Sequence, residues 1–317
     1  MVTLPELTFA QYQCRLQAVD DLRLAPYKGS TLRGAFGHAF RRVACVEPRR
    51  ATCQGCVLTG TCPYSRVFES PAMGTLPRFL RGVDRAPHPF VIEPPLAEQQ
   101  DVPAGGEVVF GLTLFGSACD LLPYFILTFR ELGRCGIGKG RGRCTVRSVA
   151  ARTQAGWQDI YDGKSGTLAN LDARQRPPES TAAASALTLR FLTPTRIKHR
   201  GHLTDRLDFR LLVFHLLKRA SELAHFYCPQ AAVQWDFAPA LALAAEVTTC
   251  AHSLRWVDWE RWSNRQQTRM KLGGIVGEIS FAGPLGPFLP LLRLGEVMHV
   301  GKGTSFGLGK YELHQHP

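Results

Sequence analysis

Residues 288–310 read FLPLLRLGEVMHVGKGTSFGLGK, and residues 121–143 read LLPYFILTFRELGRCGIGKGRGR. Both stretches run from Leu-Pro through an apolar helical segment to Leu-Gly, and Gly-Lys-Gly follows five or six positions later. A short strand-like run comes after each copy. Self-similarity of this kind within one chain indicates a duplicated structural unit.

The second glycine-rich stretch does not match a nucleotide-binding motif. A Walker loop needs Gly, four residues and then Gly-Lys-Ser/Thr, but Tyr311 follows Gly309 and Lys310. The glycine spacing also misses the dinucleotide fingerprint. We therefore expect the loop to contact something other than a nucleotide cofactor.

The beginnings of the two halves correspond as well. Residues 12–19 and 187–192 alternate like strands, and a basic loop and a helix follow each, the first helix from Ser30 and the second over about 205–226. The repeated order predicts an α+β fold of tandem ferredoxin-like (RRM-like, βαββαβ) domains with a central basic cleft. A single larger α+β domain is the alternative.

Composition along the chain predicts the domain boundaries. We expect an N-terminal ferredoxin-like domain over 1–152 with a four-cysteine insertion at 45–69, a connecting segment over 153–186, and a C-terminal ferredoxin-like domain over 187–317. Prolines and small polar residues mark the connecting segment as a linker.

Charge and cysteine usage limit the class of protein. Lys and Arg total 38 against 26 Asp and Glu, and the net charge of +12 favours RNA or DNA as a partner over a surface tuned only for solubility. No signal-peptide pattern or membrane-length apolar run is found, which predicts a cytoplasmic protein without a membrane partner. Four of the ten cysteines crowd into residues 45–62, which favours metal binding over disulfides.

Four stretches carry a family resemblance: GKGTSFGLGKYEL at 301–313, KGSTLRGAFGHAFRRVAC at 28–45, CQGCVLTGTCPYSRVFE at 53–69 and FLTPTRIK at 191–198. The chain resembles the RAMP superfamily of CRISPR-associated proteins, in particular the endoribonucleases that cut precursor CRISPR RNA within its repeats. The first stretch is similar to that superfamily's C-terminal glycine-rich loop, and the second is typical of its first helix. The resemblance implies CRISPR repeat RNA or crRNA as the partner, together with other subunits of a CRISPR effector complex.

The helix that begins near Ser30 carries the strongest catalytic candidate. His38 and Arg41 are three residues apart and share one flank of this helix. Histidine transfers protons near neutral pH, and arginine stabilises a negatively charged transition state. The resemblance implies a nearby tyrosine or lysine, so we assign His38, Tyr27, Arg41 and Lys28 to a catalytic set. A surface histidine without a role is the alternative.

Other basic and glycine residues are predicted to hold the RNA backbone. Glycines allow backbone N–H groups to approach phosphate oxygens, and an aromatic ring can stack on a base. The predicted RNA-binding residues are Arg33, Arg42, Lys139, Arg141, Arg143, Lys198, His199, Arg200, Gly301, Lys302, Gly303, Ser305, Phe306, Gly307 and Lys310. The alternative for the second loop is a tight turn that needs positive φ, with Phe306 in the core.

Cys45, Cys53, Cys56 and Cys62 have the spacing C-x7-C-x2-C-x5-C. Four thiolates can close a tetrahedral site, so structural zinc is the leading interpretation. Pro63 directly after the fourth cysteine leaves an iron–sulfur cluster open, and free thiols are the third alternative.

Together with the basic charge and the histidine on the first helix, the resemblance implies an endoribonuclease that needs no metal for catalysis. It would cleave precursor CRISPR RNA by attack of a 2′-hydroxyl, giving a 2′,3′-cyclic phosphate and mature guide RNA. The alternatives are a non-catalytic RAMP subunit that binds guide RNA in a CRISPR effector complex, and a zinc-stabilised nucleic-acid-binding adaptor unrelated to CRISPR.

Overall fold

The computed structural model describes residues 2–47, 49–50, 52–74, 76–177, 184–258, 260–263 and 268–316. The chain divides into two compact units. The N-terminal unit consists of Thr8–Gln175 and Phe226–Cys228. The C-terminal unit consists of Met1–Leu7, Arg176–His225 and Pro229–Pro317.

The N-terminal unit contains a five-stranded sheet and two helices. Its elements are β1 (Phe9–Ala18), β2 (Leu22–Arg23), α1 (Lys28–Ala44), β3 (Phe90–Glu93), β4 (Asp101–Val102), β5 (Glu107–Phe115), α2 (Leu122–Cys135), β6 (Cys144–Thr153) and β7 (Gly156–Asp162). The sheet order is β3-β5-β1-β6-β7, and every neighbouring pair is antiparallel. The first four strands in this order form a ferredoxin-like βαββαβ unit.

An aromatic cluster fixes the two helices of this unit against each other. Phe36 of α1 lies 5.1 Å from Phe125 and 5.4 Å from Phe129 of α2, measured between ring centroids, and 5.4 Å from Phe90 of β3. Each of these four rings is fully buried. Because burial of one phenylalanine side chain contributes about 1.5–3 kcal/mol, this cluster holds α1 firmly on the sheet.

The C-terminal unit repeats the same arrangement with additional hairpins. Its elements are β8 (Ala186–Thr195), β9 (Ile197–His199), β10 (His202–Thr204), α3 (Phe209–Tyr227), α4 (Ala238–Ala244), β11 (Thr248–His252), β12 (Arg255–Val257), β13 (Glu260–Ser263), β14 (Thr268–Lys271), β15 (Gly274–Ala282), α5 (Leu289–Met298) and β16 (Tyr311–Gln315). The main sheet has the order β11-β15-β8-β16, and β12 also pairs with β15. The predicted tandem ferredoxin-like fold is therefore confirmed.

Both glycine-rich loops are anchored on the carbonyl of an arginine that lies between the first strand and the first helix of its unit. The backbone N–H of Lys139 donates to the carbonyl oxygen of Arg23 at 2.8 Å. The backbone N–H of Lys302 donates to the carbonyl oxygen of Arg196 at 2.9 Å. The internal repeat read from the sequence thus extends to individual hydrogen bonds.

In each loop, one backbone hydrogen bond joins the two ends, and the number of residues between these ends differs. The N–H of Ile137 donates to the carbonyl of Gly142, five residues later, at 2.9 Å. The N–H of Val300 donates to the carbonyl of Gly309, nine residues later, at 3.0 Å. The second loop is therefore four residues longer, and it contains the 3₁₀ turn Thr304–Phe306.

Two helix starts differ from the sequence prediction. Helix α1 begins at Lys28, with Tyr27 before it, and Ser30 lies inside the first turn, where its hydroxyl donates to the carbonyl of Tyr27 at 3.3 Å. Helix α3 begins at Phe209 because the carboxylate of Asp208 accepts a backbone N–H of the first turn at 2.7 Å.

The predicted connecting segment over 153–186 is shorter in the structure. Strand β7 falls within it and pairs with β6, and Ile160 and Tyr161 of β7 are buried. The N-terminal unit consequently continues to Gln175 rather than ending at 152. Residues 178–183 of the segment lie outside the described residues. Within the described part of the chain, no helix is long and apolar enough to cross a membrane.

Candidate active site and nucleic-acid interface

His38 lies on the exposed surface of α1. Gly34 is four residues earlier on the same face, and a Cβ added there would meet no atom within 4 Å. The surface beside the imidazole is therefore open. The surface at Gly37 is covered instead, because a Cβ there would lie 2.1 Å from the ring of Phe68.

Lys28 is the first residue of α1, whereas His38 lies in the second half of this helix. Ten residues of helix separate them by about 15 Å along the axis. Lys28 is only 3% exposed, its ammonium donates to the carbonyl of Ala97 at 2.6 Å, and burial lowers its pKa. Tyr27 adjoins Lys28, and burial raises the pKa of its phenol. The helix therefore separates Lys28 and Tyr27 from His38, with which the sequence prediction grouped them.

Arg33, predicted to bind RNA, is engaged within its own unit. Its guanidinium carbon lies 4.0 Å above the centroid of the Phe68 ring, and one terminal nitrogen is 3.0 Å from the Nε2 atom of His88. The His88 ring in turn stacks between Phe68 and Phe90, with centroid distances of 5.8 Å and 5.6 Å. Cation–π contact and stacking hold Arg33 in this place.

Arg42 and Arg41 also have protein contacts at the end of α1. Arg42 pairs with Glu131 of α2 through an Nε–Oε1 distance of 3.1 Å. Arg134 donates two hydrogen bonds to the same carboxylate, at 2.8 Å and 3.0 Å, and chiefly this interaction lowers the pKa of Glu131 to about 2. Arg41 lines a small cavity together with four cysteines. Within the predicted catalytic set, His38 is the exposed member.

The shorter glycine-rich loop presents three basic residues at the surface. Lys139, Arg141 and Arg143 are exposed, and a Cβ on Gly140 would meet nothing within 4 Å. Arg143 makes a two-bond ion pair with Asp20, at 2.8 Å and 3.0 Å. This pair offsets the charge of Arg143, so Lys139 and Arg141 carry the excess positive charge of the loop.

The basic stretch after β8 forms a hairpin rather than the predicted loop. Strands β9 and β10 pair, with His199 opposite His202. Arg200 and Gly201 form the two-residue turn with φ of +48° and +86°, and positive φ at both positions is the requirement of a type I′ hairpin turn. Lys198, His199, Arg200 and His202 are exposed on this hairpin, which therefore presents a compact basic tip.

Cationic side chains crowd around the longer glycine-rich loop. Burial lowers the pKa of Lys302, the charges of Lys198, Lys218 and Arg196 lower it further, and Glu222 alone opposes them. Repulsion between like charges of this kind is relieved when an anion binds among them. The cluster therefore fits a phosphate group.

His215 of α3 belongs to this cluster. Its Nε2 atom donates to the carbonyl of Lys198 at 2.8 Å, which ties α3 to the hairpin. Burial lowers the pKa of His215, the bond to Lys198 opposes this effect, and the charges of Lys218 and Lys302 lower the pKa further. Lys218 also pairs with Glu222 on the same helix.

Sequence reasoning missed His215, Lys218 and His88. The spacing of His215, Lys218 and Glu222 at i, i+3 and i+7 places them along one face of a helix, and this pattern could have revealed them. His88 has no comparable local signal, because its partners come from distant parts of the chain.

The glycines of the longer loop are required by its backbone. Gly301 has φ of +84°, and a Cβ there would lie 2.5 Å from the carbonyl oxygen of Arg196. Gly307 also has positive φ, its carbonyl accepts a hydrogen bond from the Thr193 hydroxyl at 2.8 Å, and Ser305 is 4% exposed. These observations support the tight-turn alternative for the glycines, and they place the predicted RNA contact Ser305 in the interior.

The four clustered cysteines line one cavity of about 20 Å³. Burial raises the pKa of Cys53, and the neighbouring Glu69 and the three other thiols raise it further. Among the described residues, no three or more His, Cys, Asp or Glu side chains are already arranged as a metal-binding group. The thiols therefore converge on one place without forming a closed coordination shell.

Comparisons with known families and structures are consistent with this geometry. The model of the family AF_1859_N, an N-terminal domain, matches residues 7–173, which is more than half of the chain. The model of the CRISPR-associated endoribonuclease Cas6 matches residues 189–311. An uncharacterized protein of Archaeoglobus fulgidus is 24% identical over 319 residues, which cover 97% of this chain and 99% of that protein.

Solved structures share the fold at low sequence identity. A product complex of Cas6 (TTHB231) is 18% identical with a TM-score of 0.55 and covers 98% of this chain and 100% of that one. Thermus thermophilus Cas6 (TTHB231) is 15% identical with a TM-score of 0.52, covering 99% of each chain. A partial Cas6-RT-Cas1–Cas2 complex is 13% identical with a TM-score of 0.54, covering 99% of this chain and 47% of that one.

The two family models divide the chain much as its internal repeat does, and the second one spans the basic hairpin, the cationic cluster and the longer glycine-rich loop. The family resemblance read from the four sequence stretches is thereby confirmed. The chain belongs to the AF_1859_N family, its residues 189–311 match the CRISPR-associated Cas6 endoribonuclease model, and it shares its fold with the Cas6 structures.

Proposed function

We propose that this protein binds CRISPR repeat RNA and cleaves precursor CRISPR RNA once within the repeat. The observation that carries the proposal is the match of the Cas6 endoribonuclease model to residues 189–311. Those residues contain the cluster of like charges around Lys302, which suits a polyanion. The match and the electrostatics thus support the same substrate class.

RNA binding is expected to rest mainly on phosphate contacts. The hairpin tip, the cluster around Lys302 and the exposed Lys139 and Arg141 present fixed positive charge without base-reading geometry of their own. Contacts of this kind hold and orient RNA, whereas they carry little sequence information. Phe306, which is partly buried, is the candidate for stacking on a base.

Cleavage is proposed to proceed without a catalytic metal. The 2′-hydroxyl loses its proton and attacks the adjacent phosphorus, and the 5′-oxygen leaves with a proton, which gives a 2′,3′-cyclic phosphate. His38 is the proposed proton-transfer group because it is exposed beside the open surface at Gly34. Arg41, one turn away, is the nearest cation of the predicted set along the helix.

The cellular setting is part of the same proposal. The mature guide RNA is expected to remain available to other subunits of a CRISPR effector complex. A cytoplasmic location remains a prediction from the amino-acid sequence.

The decisive experiment is cleavage of repeat-containing RNA in excess EDTA, with circular dichroism recorded in parallel to show that the protein stays folded. A matched substrate carries a 2′-deoxyribose at the cut site. Site-specific cleavage that disappears with the deoxy substrate supports the proposal. Cleavage that requires added Mg²⁺ contradicts the metal-independent mechanism.

The role of His38 is tested with His38→Ala and with His314→Ala as a matched control. His314 is an exposed histidine near the C-terminus, and its side chain is 53% accessible. Loss of a general acid or base typically lowers the rate about 10²–10⁴-fold. We expect that loss for His38→Ala with unchanged RNA affinity, and full activity for the control. Full activity of His38→Ala would eliminate the assignment.

A non-catalytic RAMP subunit that binds guide RNA is the second candidate. One observation favours it: Lys28 is buried at the start of α1 and Tyr27 lies beside it, so His38 lacks the tyrosine and lysine partners that the resemblance implied. Tight, repeat-selective binding without a cut in the same assay would support this candidate. Absence of selective binding would exclude both.

A further inference from the structure

Four cysteines from three consecutive structural segments meet at one cavity next to α1. Cys45 is the first residue after this helix, and its backbone N–H donates to the carbonyl of Arg41 at 2.9 Å. Cys53 and Cys56 lie in the following turns. Cys62 begins the turn that leads into Ser65–Glu69, because its carbonyl accepts the N–H of Arg66 at 3.0 Å.

Hydrogen bonds within the loop hold its two central cysteines in a fixed turn. The N–H of Cys56 donates to the carbonyl of Cys53 at 3.1 Å. The hydroxyl of Thr59 lies within hydrogen-bonding distance of two carbonyls, that of Cys53 at 2.9 Å and that of Cys56 at 2.7 Å. These bonds fix the backbone of the turn, and both cysteines line the same cavity.

The cavity that the four cysteines border has room for an ion. Its volume of about 20 Å³ accommodates one water-sized sphere, which needs about 10–15 Å³. A single ion fits this space.

Charged side chains beside the cavity also suit a metal ion bound by thiolates. Four thiolates with one divalent ion carry a net charge of −2, which is stabilised by nearby cations. Arg41, Arg50 and Glu47 line the cavity, and because Glu47 pairs with Arg50, Arg41 supplies the excess positive charge. Arg50 is positioned by Glu47 at 2.9 Å and by the carbonyl of Gly55 at 3.1 Å.

We propose that Cys45, Cys53, Cys56 and Cys62 bind one structural Zn²⁺ ion. Zn²⁺ prefers tetrahedral thiolate ligands, and four of them leave no open position for catalysis. The sulfur atoms are not yet at ligand spacing in this structure. Side-chain rotation about the shared cavity brings them onto the ion.

The proposed ion connects the end of α1 to the segment that packs on the middle of the same helix. Phe68 of that segment covers Gly37, one residue before His38. Zinc would therefore fix the surface on which His38 stands, without contacting RNA. This inference does not depend on the proposed RNA cleavage, since it concerns metal content and stability.

Metal analysis of the full chain, purified under reducing conditions without added metal, tests the proposal. One zinc per chain is expected. In Cys53→Ser/Cys56→Ser the zinc content should fall at least tenfold and the melting temperature should drop. Cys250→Ser, which removes an exposed cysteine far along the chain, should keep one zinc.

A second measurement needs no variant and guards against failure of the double mutant to fold. In the native protein, four thiols should resist a thiol reagent until a strong chelator is added, and one zinc should be released as they react. Chain purified without zinc, with these thiols freely reactive, would overturn the proposal, as would iron at several atoms per chain. Neither readout involves RNA, so a failed zinc test and a failed cleavage test remain distinguishable.

Discussion

Gly301→Ala should damage the longer glycine-rich loop far more than Gly303→Ala does. Both glycines have left-handed backbones, with φ of +84° and +79°. At Gly301 the added Cβ would lie 2.5 Å from the carbonyl oxygen of Arg196, the acceptor of the Lys302 anchor bond. At Gly303 it would lie 2.9 Å from a terminal methyl of Leu308, which can rotate away.

The two substitutions share one energetic cost and differ in another. A left-handed backbone costs a residue with a Cβ about 1–2 kcal/mol. Relief of the collision with a backbone carbonyl adds about 1–3 kcal/mol, as for overpacking in a core. We therefore expect a loss of about 2–5 kcal/mol for Gly301→Ala and about 1–2 kcal/mol for Gly303→Ala.

Hydrogen exchange measures the destabilisation of the loop in each variant at single amides. A local measurement is needed because a chain of two units need not unfold in one step, so a global free energy of unfolding is not well defined. The amide of Lys302 should exchange much faster in Gly301→Ala than in the unmodified protein, and only modestly faster in Gly303→Ala. RNA affinity should follow the same order, because the anchor bond positions Lys302. Equal exchange rates in the two variants would refute the reasoning.

Two further perturbations test the electrostatics. Lys302→Met should raise the pKa of His215, because the positive charge of Lys302 lowers this pKa in the unmodified protein. Lys302→Arg keeps the charge and should leave the pKa of His215 nearly unchanged. NMR titration of the imidazole measures both variants, and equal pKa values in the two would contradict the charge cluster. Glu131→Gln should make the free energy of unfolding depend less on pH under acidic conditions. Chiefly through its bonds to Arg134, the pKa of Glu131 is about 2 instead of 4.5, so its stabilisation is complete above pH 4.5 and lost as pH falls through 2. Urea unfolding between pH 5 and pH 2 measures the free energy of unfolding of the variant and of the unmodified protein. If both free energies fall equally with pH, Glu131 makes no such contribution.

The fold was predictable because its signal is repeated. The Leu-Gly and Gly-Lys-Gly pattern occurs twice at matching positions, and a duplicated pattern specifies a duplicated topology even where single elements are ambiguous. Strand β7 was missed because it is a largely exposed strand whose first four residues lack buried side chains. Edge strands of this kind carry a weak hydrophobic pattern.

The candidate site was less predictable, because its contacts link distant parts of the sequence. Spacing on α1 correctly places His38 at a surface, but it does not reveal that Phe68 covers Gly37 or that Lys28 donates to the carbonyl of Ala97. These partners are 31 and 69 residues away along the chain. Helical periodicity reports which side chains share a face, whereas tertiary packing decides which of them reach solvent.

Because the two glycine-rich loops share the same anchor bonds, each loop can vary in length between fixed ends. The carbonyl of an arginine and one closing backbone bond hold the ends of each loop, so the residues between them can change in number without moving the sheet. Lengthening the closed segment from five to nine residues costs only about 0.5 kcal/mol in chain entropy. The same frame can therefore carry a short cationic turn in one unit and a longer one in the other, and loop length is free to adapt to the shape of the bound partner.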